Sequence, residues 1–305
     1  MTPAFVILFV GILVCAAAAN LIQASRMDPI HLSMFRVGVA ALVLLPMWVA
    51  EACRLGGRTA WTAARAAAVP GGVLGIHFMT FLVGVRMTTV ANATLLVNLA
   101  PAIVPWFATA WLGERLRKAE LIGTLLGLAG VVTLVGGDLR LGRNTLTGDL
   151  MCLGSMAFFA AYLVLGRVRR GIPGIWLYVV PLYAVAAVTC VPFALMRPWQ
   201  PVDWTREIWA AGGLALGPTV IGHSAIMYAV RHLRSQTVTL ANLTQFIFAS
   251  LLAWFWTGET PSPPFYPAAV MLVTGAVLAV RASGNGEPTA PTSAAAASPR
   301  DSSPH

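Results

Sequence analysis

The chemistry open to this chain lies in polar side chains set inside long apolar runs: Asn20, His77, Thr80, Thr94, Asn98, Ser155, Tyr162, His223, Tyr228, Asn242, Thr244 and Gln245. These are amides, hydroxyls and imidazoles, able to orient and hydrogen-bond a solute and, at His77 and His223, to titrate. None is a carboxylate, because all eleven Asp and Glu, from Asp28 to Asp301, fall in gaps, at the ends of apolar runs or in the C-terminal stretch. An acid in hydrocarbon is expensive and is kept for work such as exchanging a proton for a cation. Proton-coupled antiport of organic cations is therefore disfavoured. The chain also has no H-E-x-x-H, no G-x-S-x-G and no carboxylate pair within an apolar run, so a membrane-embedded lipid-modifying enzyme is a weak alternative. Cys15, Cys53, Cys152 and Cys190 are widely spaced with no accompanying His pair, so neither a metal centre nor a cofactor is called for.

Spacing groups these residues. Thr94 and Asn98 are four apart and Asn242 and Gln245 three apart, so each pair shares one helix face. Such pairs can be interhelical bonds worth about 0.6 kcal/mol each in a membrane, or they can line a cavity. The cavity reading names Asn20, His77, Asn98, Trp106, Tyr162, His223, Asn242 and Gln245 as substrate-binding. Pro101 and Pro105 remove two backbone donors beside Asn98 and are the candidate hinge. Phe78, Phe81, Phe107, Phe246 and Phe248, with Trp106 and Tyr162, are the aromatic side chains available to line a pocket. Arg36 is expected to snorkel to the outer interface or to pair internally, a structural role. Glu114 and Glu259 each follow a glycine at a helix end and are expected to cap it or to bridge to loop arginines.

The elements that must hold these residues follow from composition. With 58% hydrophobic and 10% charged residues and a mean hydropathy of +0.76, the 305-residue chain cannot clothe a soluble globule, and reads as an all-α integral membrane protein. Its net charge of +9 sits in short gaps without a basic stripe, which points to the lipid bilayer as partner and not to nucleic acid. A crossing needs roughly 20 apolar residues. Ten transmembrane helices result, at about 3–23, 31–50, 68–86, 90–112, 119–137, 148–167, 174–196, 207–230, 235–257 and 264–281. The first lacks a positive n-region and is expected to be a retained helix rather than a signal peptide. The gap after the second span is expected to form a short surface helix anchored by Trp61, with Trp199 and Trp204 in a similar gap further on.

The chain repeats itself at an offset of 145 residues: Arg86 falls on Arg231, Thr94 on Thr239, Trp111 on Trp256, Gly113 on Gly258, Glu114 on Glu259 and Gly130 on Gly275. The units are 1–145 and 146–282, each a five-helix repeat, followed by a tail at 283–305 too polar to bury and expected to be disordered. Because five is odd, the two units must have inverted topology. The excess of Arg and Lys in alternate gaps places both termini in the cytoplasm, for a multi-pass protein of the cytoplasmic membrane.

The segments W-L-G-E-R-L at 111–116 and W-T-G-E-T-P at 256–261, the small residues Gly127, Gly130 and Gly275, and the opening P-I-H-L-S-M-F-R of the second span resemble the EamA-type permeases of the drug/metabolite transporter superfamily. The resemblance covers residues 3–281 and departs from the family after Glu259, where the basic run of the first repeat is missing. It implies a bundle whose third, fourth, eighth and ninth helices, helped by the first and sixth, enclose a cavity that opens to alternate sides. The family's cargo of amino acids and other small metabolites, mostly exported, makes a small-molecule secondary transporter the expected function. A non-transporting sensor or scaffold is the alternative. The glycine-rich faces can serve within one bundle or between two, so the oligomeric state stays open.

Overall fold

The computed structural model describes residues 2–138, 143–258 and 263–284; Glu259 and nearly all of the expected tail lie outside them. Among the described residues every regular element is helical. We label the segments α1 (Pro3–Ala24), α2 (Pro29–Leu55), α3 (Gly57–Met87), α4 (Val90–Val97, Ala100–Ala102 and Val104–Leu112), α5 (Lys118–Asp138) and α6 (Arg143–Val168). The rest are α7 (Trp176–Leu195), α8 (Trp204–His232), α9 (Ser235–Asn242 and Gln245–Thr257) and α10 (Phe265–Gly284). Among the described residues seven helices are long and apolar enough to cross a membrane, or eight with the bent α4 counted as one span. Their outward surface is apolar, with Leu42, Val69, Val132, Leu195, Phe255 and Val270 exposed, as hydrocarbon demands and water would penalise.

One expectation is corrected at the second gap. No separate surface helix forms there: α2 runs on to Leu55, Gly56 turns the chain at φ 88°, and α3 starts at Gly57 and continues without a break through the third span. Ala60, Ala63 and Ala67 are buried on that extension, so the alanine-rich stretch packs as helix while Trp61 remains exposed.

The W-x-G-E segments have a conformational cause. Gly113 at φ 66° and Gly258 at φ 72° both end their helices in the left-handed region, where a side chain would strain the backbone. At Gly113 the next residue's N–H, that of Glu114, reaches back to the Ala108 carbonyl at 3.2 Å.

Without a hydrophobic drive in lipid, helices associate through close packing of small residues. Helix α5 meets α10 at Gly123 and Gly275, where a Cβ on either would lie 2.7 Å from the other's carbonyl oxygen. Helix α3 packs between α6 and α7, and α1 lies along α8, so the middle of the bundle is formed by α1, α3, α6 and α8 with the broken α4 and α9.

Candidate functional site

The breaks in α4 and α9 create the polar centre. Pro105 has no N–H to give to the Pro101 carbonyl four residues back, and α4 bends by 41° through a single tight turn. The abandoned carbonyl is taken by Gln236 of α9, whose Nε2 lies 3.0 Å from it and 2.7 Å from Thr124 Oγ1. Gln236 was not singled out from sequence, since its partner is 135 residues away. Helix α9 is interrupted too, between Asn242 and Gln245, although it has no proline there. The two interruptions face each other: Asn242 Nδ2 donates to Asn98 Oδ1 at 2.6 Å, and Asn98 Nδ2 donates to the Thr94 carbonyl at 2.8 Å.

Around this pair is a cavity of about 30 Å³, lined by His77, Asn98, His223, Asn242 and Gln245 together with Cys15, Arg36 and the rings of Phe78, Phe81 and Phe159. By the same measure a single water needs roughly 10–15 Å³, so the space is of the order of two waters and too small for a metabolite as it stands. The His77 and His223 rings are 6.2 Å apart, and Phe159 stacks on His77 at 5.1 Å. His77 Nδ1 lies 2.8 Å from the Ser155 hydroxyl and 3.0 Å from the Ser155 carbonyl, which ties α3 to α6 at the cavity wall. His223 Nδ1 and Asn242 Oδ1 have no protein partner.

Three expected site residues lie elsewhere. Trp106 is 77% exposed on the outer surface, because the turn before Val104 resets the helical phase of the second limb of α4. Asn20 is buried but ties α1 to α9, its Nδ2 lying 3.5 Å from the Ala249 carbonyl. Tyr162 stands behind the cavity wall, with ring centres 6.1 Å from Phe159 and 6.3 Å from His223.

Of the two expectations for Arg36 the internal one holds, and the structure adds a place in the cavity wall: it is 1% exposed, its Nε donating to Thr219 Oγ1 at 2.9 Å and its guanidinium carbon 3.9 Å from the centre of the Phe78 ring. Thr219 is presented by a π-helical stretch of α8, Ala215–His223, in which its hydroxyl donates to the Leu214 carbonyl five residues back.

Both ends of the bundle are closed by charged groups. At one end Glu207 accepts from Ser25 Oγ and the Arg26 N–H, each at 2.6 Å, and Arg86 donates to the carbonyls of Ser25 and Met27. At the other, Arg167 pairs with Glu114 at 3.2 Å, Arg234 with Glu120 at 2.7 Å, and Arg231 donates to the carbonyls of Arg170 and Ile172. Glu114 thus bridges to an arginine at the end of a helix rather than in a loop.

Comparison with known proteins places this architecture. The model of the EamA-like transporter family matches the chain twice, over residues 3–136 and 146–281. The chain belongs to the EamA-like transporter family. As an EamA-like protein it is a multi-pass membrane transporter of small molecules and not an enzyme. It is similar to the aromatic amino acid exporter YddG of Ancylobacter novellus, with 26% identity over 68% of this chain and 73% of that one. An uncharacterized transporter of Archaeoglobus fulgidus is 24% identical over 69% of this chain and 75% of its own. The uncharacterized inner membrane transporter YedA of Escherichia coli is 26% identical over 67% and 68%. A solved crystal structure matches with a TM-score of 0.73 at 22% identity, covering 93% of this chain and 98% of the other, which shows a shared fold.

Proposed function

We propose that this EamA-like protein is a secondary transporter that exports a small neutral or zwitterionic metabolite such as an amino acid, by alternating access through the central cavity. The observation that carries the reading is a small cavity between two broken helices, lined by amides, imidazoles and aromatic rings, with bonds joining the halves of the chain at both ends of the bundle. Separable gates at the two ends are what a carrier needs, since a permanent pore would dissipate the gradient. The substrate-facing set is His77, Asn98, His223, Asn242 and Gln245 with the aromatic rings beside them, and Pro101 and Pro105 form the hinge.

Ten crossings in two inverted five-helix repeats, 1–145 and 146–282, in the cytoplasmic membrane with both termini inside, are part of the same proposal. It is supported by the Arg86 and Arg231 clamps. They are 145 residues apart, and so are their acceptors: Ser25 and Met27 for one, Arg170 and Ile172 for the other. Glu207 lies beside the first clamp and Arg231 forms the second, at opposite ends of the single helix α8, so equivalent clamps close opposite ends of the bundle. Export of an amino acid is further supported by the similarity to the aromatic amino acid exporter of Ancylobacter novellus.

The test is flux. Cells loaded with radiolabelled neutral and aromatic amino acids are expected to lose label faster when the chain is produced. Identical retention with and without it, for every amino acid, contradicts the proposal.

A further inference from the structure

We infer that Arg36 anchors a carboxylate of the transported solute, an inference that rests on the transport reading above and narrows its substrate class to monocarboxylates, zwitterionic amino acids foremost. Arg36 is among the largest fully buried side chains in the molecule. The described ion pairs are His31 with Asp28, Arg167 with Glu114 and Arg234 with Glu120, so no carboxylate balances Arg36 among the described residues. Its guanidinium is always charged, and Phe78 and one Thr219 hydroxyl are weak compensation for the water it has lost. Its Nη2 has no protein partner. A charge kept in a membrane interior at that cost marks a functional group, and the planar fork of arginine matches a carboxylate with two parallel bonds.

The neighbours sharpen the choice. One cation balances one negative charge, so a monocarboxylate suits the site better than a phosphate dianion. In the same cavity the Asn242 Oδ1 acceptor has no protein partner, and it suits an ammonium group. Phe78, Phe81 and Phe159 offer rings for an apolar remainder. An amine without a carboxylate meets Arg36 as an unbalanced positive charge and is rejected.

The test is counterflow into proteoliposomes of the purified full chain, using a panel of neutral amino acids, each beside its carboxamide and its decarboxylated amine, with uridine and glucose as other classes. At least one amino acid is expected to exchange, with its amide and amine at least about tenfold weaker, the loss that follows from removing a charge-assisted hydrogen bond. Arg36→Lys, which keeps the charge and loses the fork, raises the half-saturating concentration about tenfold or more, and Arg36→Met abolishes exchange. The ligand series needs no variant, so a variant that fails to fold does not affect the result. Equal exchange of acid and amide, or exchange of uridine or glucose alone, overturns the carboxylate assignment and leaves the transporter reading standing. A panel in which nothing exchanges overturns both.

Discussion

The pair Arg234–Glu120 ties the start of α5 to the turn between α8 and α9, and its removal should loosen that end of the bundle. Glu120 is fully buried and accepts from Arg234 Nε at 2.7 Å, Arg234 Nη2 at 3.1 Å and the Arg117 N–H at 2.9 Å, while the Arg234 side chain is 16% exposed. The asymmetry sets the order of the variants. Arg234→Met removes the paired cation from a buried carboxylate and costs about 3 kcal/mol, the lower part of the range for breaking a buried pair. Glu120→Gln leaves a cation that can reach water and costs about 1.5 kcal/mol. The double variant buries no charge and costs about 0–1 kcal/mol. If the energy holds the closed state, each 1.4 kcal/mol raises the open fraction about tenfold.

Cys15 is a natural reporter, since it is 3% exposed, lines the cavity and directs its thiol at the Pro218 carbonyl. With Cys53, Cys152 and Cys190 replaced by alanine, its alkylation by N-ethylmaleimide in membranes should follow the open fraction. The expected rates rise about tenfold for Glu120→Gln and about a hundredfold for Arg234→Met, and fall back toward the parent in the double variant. Rates within twofold of the parent for both single variants would refute the gate.

Other perturbations have equally definite outcomes. Gln236→Leu strands the Pro101 carbonyl and should lower stability in detergent by about 1–3 kcal/mol, read as an earlier unfolding midpoint. Gly123→Ala forces a methyl against the Gly275 carbonyl and should cost about 1–3 kcal/mol in the same assay. Asn242→Leu removes the bond to Asn98 and should cost only about 0.6–1.7 kcal/mol of stability while reducing exchange more than tenfold; equal small losses in both would make the pair simple glue.

Much of this molecule can be read along its chain because membrane helices write their requirements locally. Apolar runs, the two glycines that end α4 and α9, and amides spaced three or four apart all show in a single stretch. The cavity residues His77, Asn98, His223, Asn242 and Gln245 were reachable for that reason. What escaped depends on distance or on phase. Arg36 looked like one more arginine near a helix start, and only the approach of Thr219, 183 residues on, makes it a wall of the cavity. Trp106 was misplaced because its direction depends on how α4 turns at the Pro101 break. The interruption in α9 carries no proline to announce it, and in the π-helical stretch of α8 Pro218 signals a disturbed helix without saying which register replaces it.

In the arrangement we propose, equivalent gates of the two repeats face opposite sides of the membrane. Arg26 and Gly171 are exposed, lie 145 residues apart, and sit between the carbonyls clamped by Arg86 and Arg231 respectively. In a cysteine-free background, Arg26→Cys and Gly171→Cys are to be treated in intact cells with a membrane-impermeant maleimide. Labelling of the first from outside and of the second only after permeabilisation is the expected result; labelling of both from the same side contradicts the inverted arrangement and the alternating gates built on it.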